Sequence, residues 1–193
     1  MPDKAAVFID GGYMDYVLAG FGRPAVDYER LSDELCARSG GYARFRTYYY
    51  HCPPYRGNPP TPDEAERYRV WQRFHDALLR HERFEFRLGK LEKRSCPACG
   101  DTRPRQKRVD SQLAIDIVRL AAKGTIAKAI LIAGDSDHAP AVRTAKEDSV
   151  LVTLWHMRGN PRTVAHDELL RMCDERFEFT RELIDRVVRP APP

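Results

Sequence analysis

Asp135 and Asp137 stand one residue apart, directly after the apolar run Ile130, Leu131, Ile132 and the turn residue Gly134. Two acids held that close repel one another, and a divalent cation is their natural companion. Asp10 repeats the arrangement, since Val7, Phe8 and Ile9 precede it and Gly11 and Gly12 follow. Asp110 sits where a helical pattern begins, and Asp116 follows between Ile115 and Ile117, at the edge of that helix's apolar face. Acids gathered at one sheet edge make an Mg²⁺ or Mn²⁺ site, because hard cations prefer oxygen ligands. A cation held there can activate water against phosphorus and offset charge on a leaving oxygen. Each acid also has a plainer reading. Asp135 and Asp137 can cap a helix or turn, and Asp110 can be an N-cap. Asp116 can form an ion pair with Arg119, Lys123 or a neighbouring element.

The elements that must position these acids follow from periodicity. The runs at Lys4–Asp10, Tyr42–His51, Phe84–Gly89, Ala129–Ala133 and Val150–His156 read as strands, with a last short one at Arg176–Thr180. Helical patterns fall at Tyr13–Leu18, Asp27–Arg38, Thr61–Arg80, Val109–Gly124, Pro140–Lys146, His166–Met172 and Glu182–Val188. Strands alternating with helices imply an α/β fold with a parallel sheet covered on both faces. Ligands of such sheets bind just outside the carboxyl ends of the strands. Asp10 and Asp135 fall side by side if their strands are neighbours.

Three resemblances in order carry a family reading. Phe8-Ile-Asp-Gly-Gly-Tyr13, Lys107-Arg-Val-Asp-Ser-Gln-Leu-Ala-Ile-Asp116 and Ile130-Leu-Ile-Ala-Gly-Asp-Ser-Asp-His-Ala-Pro140 resemble the motifs of the NYN domain. This is the LabA-like branch of the PIN-like ribonuclease superfamily, and the likeness spans about residues 4 to 180. The resemblance implies a three-layer α/β/α fold with a central parallel sheet. It also implies metal-dependent hydrolysis of RNA phosphodiesters, with the family's acids at Asp10, Asp110, Asp135 and Asp137 and with Asp116 as a fifth. Many members have Asn where this chain has Gly12 or Tyr13, and Phe where it has His138. A histidine there either touches a phosphate or replaces a packing aromatic.

The segment from Arg87 to Arg108 holds eight Lys or Arg against two acids. Arg94, Arg103, Arg105, Lys107 and Arg108 lead directly to Asp110 and are candidate phosphate contacts, with a solvated, irregular basic loop over about 92–108 as the alternative. Tyr48, Tyr49, Tyr50 and Tyr55 offer stacking faces for single-stranded bases or are ordinary strand aromatics. Cys96-Pro-Ala-Cys99 has the spacing of half a zinc site, which Cys52, with His51 or His81, would complete. A redox pair or a plain turn are its other readings.

Composition sets the outer bounds. The chain has 193 residues, 42% hydrophobic and 31% charged, which suits one domain over 1–188 with a tail at 189–193. Five cysteines argue against a disulfide framework. No apolar run is long enough to span a membrane, and a strand pattern from Lys4 leaves no room for a signal peptide. A cytoplasmic protein is expected. The net charge of +4 permits a polyanionic partner. Three functions compete: a metal-dependent ribonuclease acting on single-stranded RNA, an RNA-binding regulatory module without turnover, and a phosphatase of small phosphoesters.

Overall fold

A computed structural model describes residues 3–95, 102–159 and 162–189, with backbone alone for 92–95 and 102–107. The chain runs β1 (Lys4–Asp10), α1 (Gly11–Gly20), α2 (Tyr28–Arg38), β2 (Ala43–His51), α3 (Pro62–Leu78) and β3 (Phe84–Leu88). Next come β4 (Lys90–Ser95), β5 (Thr102–Lys107), α4 (Val109–Ala122), β6 (Lys128–Ile132), a 3-10 turn (Ser136–His138) and α5 (Ala139–Glu147). The chain closes with β7 (Leu151–His156), α6 (Asp167–Met172), β8 (Glu175–Glu178) and α7 (Arg181–Val187).

Six strands form one parallel sheet in the order β3-β2-β1-β6-β7-β8. Strand order reverses beside β1: the chain first builds outward through β2 and β3, then returns to lay β6, β7 and β8 on the other side. A crevice opens at such a reversal, outside the strand ends. Ile9 pairs in register with Ile132, so the exits of β1 and β6 are adjacent. The two acid-bearing strands are therefore neighbours.

Side chains of the central strands alternate between two cores, and both are apolar because helices cover both faces. Ala6, Phe8, Tyr48, Tyr50, Leu131 and Leu154 face α4, α5 and α6. Val7, Ile9, Tyr49, Ile130, Ile132 and Trp155 face α1, α2 and α7. Tyr48, Tyr49 and Tyr50 are at most 2% exposed, so they are core residues and offer no face to a base. Lys128 is buried too, its ammonium donating to Ser39 O and to Glu175, both at 2.6 Å.

The segment expected to be an irregular basic loop is an antiparallel hairpin, with Arg94 opposite Arg103 and Lys90 opposite Lys107. Among the described residues it pairs with itself alone, as a separate two-stranded sheet, so no register with the main sheet imposed the apolar alternation by which strands are read. No helix among the described residues is long and apolar enough to cross a membrane.

Candidate metal centre

Asp10 ends β1 and at once caps α1. Its Oδ1 accepts from the N–H groups of Gly12 (2.9 Å) and Tyr13 (3.2 Å). The helix thus starts at Gly11, earlier and longer than the short turn expected at Tyr13. Gly11 is required by crowding: a Cβ there would lie 2.5 Å from the His51 ring and 2.9 Å from Tyr50 O. Gly134 has a similar reason, since a Cβ would lie 2.6 Å from the Tyr13 ring.

Tyr13 locks the crevice. Its hydroxyl donates to Thr163 O at 2.6 Å and accepts from the Met157 N–H at 3.2 Å. Burial pushes its hydroxyl up to about 12, the nearby Asp10 charge pushes the same way and the Met157 N–H opposes both. The Tyr13 phenol is therefore a strut between loops.

Asp110 is the second residue of α4 and not its cap. Arg108 holds the cap position in a left-handed conformation (φ 74°), with no side-chain bond to the helix end. The Asp110 carboxylate is thereby left to the crevice, near the positive end of the helix dipole. Asp135 caps the 3-10 turn, its Oδ1 accepting from the Asp137 N–H at 3.1 Å. That turn delivers His138 into the interior, fully buried, with neither Nδ1 nor Nε2 partnered among the described residues.

Three of these side chains meet. One ligand atom from each of Asp10, Asp110 and His138 lies within 4.8 Å of the others. Burial, with the Asp110 charge adding to it, raises the Asp10 carboxyl above its ordinary value. The backbone N–H groups of Tyr13 and Gly12 and the His138 ring resist that rise. Two carboxylates and an orphaned imidazole suit a divalent cation: the acids repel until one arrives, and a buried ring nitrogen without a partner is costly. The adjoining cavity, about 540 Å³, is lined by Asp10, Asp110, Asp135, Tyr16, Arg162 and His166 among others.

The other candidates fall elsewhere. Asp137 is exposed on the 3-10 turn and does not line the cavity. Asp116 is buried away from the group and is bound by three partners: Tyr50 OH and Arg87 Nε donate to its Oδ2 at 3.0 Å, and Arg119 reaches Oδ1 at 3.3 Å. It is thus the ion pair that its plainer reading described, and it fastens α4 to β2 and β3. Arg94, Arg103, Arg105 and Lys107 lie on the hairpin strands, and Arg108 is exposed at its foot, two residues before Asp110.

Cys96 and Cys99 lie outside the described residues. Cys52 is buried in the core layer of α4. His51 is engaged through both nitrogens, to Cys52 O at 2.7 Å and Asp15 at 3.1 Å. His81 pairs with Glu29 at the opposite end of the sheet, before β3 begins. Neither histidine is therefore available to a zinc site at Cys52.

Tyr16, Arg162 and His166 were missed in the sequence. The Arg162 guanidinium stands 5.5 Å from the Tyr16 ring centre, and the His166 N–H donates to Gly134 O at 2.9 Å. The segment around Arg162 reads only as a Gly-Pro loop, and nothing in it signals a site.

Comparison with curated proteins and with solved structures yields no match. The family model of the NYN domain matches residues 4–181, nearly the whole chain, and the six-stranded sheet with helices on both faces is the three-layer PIN-like architecture of that family. On that match and this fold, the chain belongs to the NYN domain family, whose members are generally nuclease-like hydrolases.

Proposed function

We propose that this protein is a divalent-metal-dependent ribonuclease acting on single-stranded RNA. The observation that carries the reading is the buried His138 ring, without a partner among the described residues, beside the Asp10 carboxylate at the end of β1 and the Asp110 carboxylate at the start of α4. Asp10, Asp110 and His138 hold the ion, and Asp135 stands at the rim of the same cavity. A mixed oxygen and nitrogen donor set favours Mn²⁺ over Mg²⁺. When bound, the cation supplies Lewis-acid activation of water and neutralises charge at the scissile phosphate.

The chain's own groups do the rest. Arg162, stacked on Tyr16, and Arg108 grip phosphates on either side of the centre. The Asp135 carboxylate, oriented by the Asp137 N–H, takes a proton from the attacking water. The α1 and α4 N-termini add fixed positive potential where the phosphate docks. The hairpin carrying Arg94, Arg103, Arg105 and Lys107 extends the basic path leading to Asp110.

Purified protein should cleave single-stranded RNA with Mn²⁺ and stop on addition of EDTA. The Asp110→Asn variant should lose at least about 100-fold in rate while keeping its circular dichroism spectrum. Cleavage unchanged in that variant contradicts the reading. A second reading, RNA binding without turnover, draws on Tyr13, whose hydroxyl is committed to structural bonds and which, with Gly12 and His138, departs from the motif the chain resembles. It requires salt-sensitive RNA binding and no products under any divalent metal.

A further inference from the structure

On the far side of α1 from the metal centre lies a second cavity of about 680 Å³, within the range of small-ligand sites. Its outer wall is α3, a 17-residue helix with a complete Thr61–Glu64 capping box and only Leu78 buried. The apolar stripe of α3 is only partly covered: Phe74 packs on Tyr28 and Tyr49, and Trp71 on Phe86, yet neither is fully buried. Val70 is 52% exposed, and Trp71 and Phe74 are half-buried, and all three line the cavity. The buried indole N–H of Trp71 has no acceptor among the described residues.

The lining is also basic. Arg23, Arg67 and Arg189 contribute to it, all exposed and none with an acidic partner among the described residues. Many other arginines of the described chain are ion-paired. The acid in the lining, Asp15, is bound to His51. An apolar wall with aromatic side chains beside three uncommitted guanidiniums fits an anion with a flat aromatic body. The cavity reaches the first turn of α1, because His51 lines it and the His51 ring is what crowds Gly11, the residue after Asp10.

We propose that this cavity is a nucleotide-binding site: Trp71 and Phe74 take the base, and Arg23, Arg67 and Arg189 take the phosphate. The nucleotide comes from an RNA strand that crosses the first turn of α1, with its scissile phosphate at Asp10 and Asp110. The strand as its source rests on the ribonuclease reading. Binding of a nucleotide there does not.

The test is run on the full chain in EDTA, so that it does not depend on metal or cleavage. Tryptophan fluorescence is followed while AMP, UMP, adenosine or a five-residue oligoadenylate is added. Saturable quenching by a nucleotide is expected, weaker for adenosine, and abolished in Trp71→Leu, which leaves the buried Trp155 as reporter. Arg67→Glu, on an exposed face, should raise the dissociation constant at least about tenfold. Oligoadenylate binding more tightly than AMP assigns the pocket to an RNA strand, and the reverse assigns it to a free nucleotide. No saturable quenching by any of the ligands, or equal affinity in Arg67→Glu, overturns the proposal.

Discussion

The Asp10 carboxylate and the His138 imidazole have ligand atoms within 4.8 Å of each other, one at the end of β1 and the other in the turn that follows β6. The parallel pairing of these two strands, with Ile9 beside Ile132, creates that proximity. Asp110 joins them because Arg108 ends the hairpin in a left-handed conformation and starts α4 two residues before the acid. The site therefore depends on backbone register as much as on its side chains.

Asp110 and Asp116 lie on one helix and should fail in opposite ways. Asp110→Asn removes a repulsive charge, so the metal-free protein should melt at the same or a higher temperature while Mn²⁺ affinity falls. Asp116→Asn takes one of the two carboxylates from Arg87, which keeps Glu85, and weakens the bonds that fasten α4 to β2 and β3. It should cost about 2 kcal/mol, with Mn²⁺ affinity retained in the folded fraction. Calorimetric melting with and without Mn²⁺ separates the two. Equal behaviour would remove the distinction between the metal set and the structural ion pair.

His138→Phe tests whether the ring is a ligand or packing. A phenyl fits the buried position and removes two unsatisfied nitrogens, so stability without metal should be unchanged or about 1 kcal/mol higher. Mn²⁺ affinity should drop about 10- to 100-fold. Titration calorimetry reads the affinity and a thermal melt reads the stability. Full Mn²⁺ affinity in this variant would assign His138 to packing alone.

Acid should weaken the β7–β8 edge through Asp174 and Glu175. Burial alone would raise both carboxyls, but Lys146 and the Val152 N–H outweigh it at Asp174, and Lys128 and the Thr153 hydroxyl outweigh it at Glu175. Both are held below their ordinary values of 3.8 and 4.5. Folded values below unfolded ones give stability that is complete above the ordinary range and is lost as pH falls through the folded values. Glu175→Gln should cost about 2 kcal/mol at neutral pH, because the buried Lys128 keeps only Ser39 O and the Tyr42 face, and should flatten the acid loss. Melting temperatures from pH 7 to pH 3 in both proteins check this. An unchanged acid slope would contradict it.

Gly11→Ala should be disruptive despite its small size. The added methyl meets the Tyr50 carbonyl oxygen, which cannot swing away as a side chain can. A loss of about 2 kcal/mol is expected, together with weaker Mn²⁺ binding as α1 shifts from β2. Gly22→Ala is the contrast: no atom stands near its Cβ, and only its positive φ of 86° penalises the change. Comparable metal loss in both variants would show that crowding at Gly11 is not what sets the site.

Much of the sheet was legible because its central strands β1 and β6 carry short apolar runs closed by turn residues. Asp10 and Asp135 could be placed at strand ends for that reason, and the family motifs pointed the same way. Three things were not legible. The hairpin after β3 lies outside the main sheet and its sequence is dense in charge, which hid its strand character. Asp116 looked like a candidate ligand because its partners, Tyr50 and Arg87, come from strands whose lateral order no local pattern encodes. Arg162 reaches the cavity beside Thr163, which Tyr13 ties down, and meets Tyr16 of α1 there, a meeting no local pattern encodes. His138 was visible as a departure from the family pattern, but its burial without a hydrogen-bond partner became apparent only in three dimensions.

The most direct test is a crystal soaked in Mn²⁺ and measured for anomalous scattering. One ion bonded to carboxylate oxygens of Asp10 and Asp110 and to a ring nitrogen of His138 is the expected result. An ion held elsewhere, or Asp10 and Asp110 turned apart with His138 hydrogen-bonded to protein, would contradict the account.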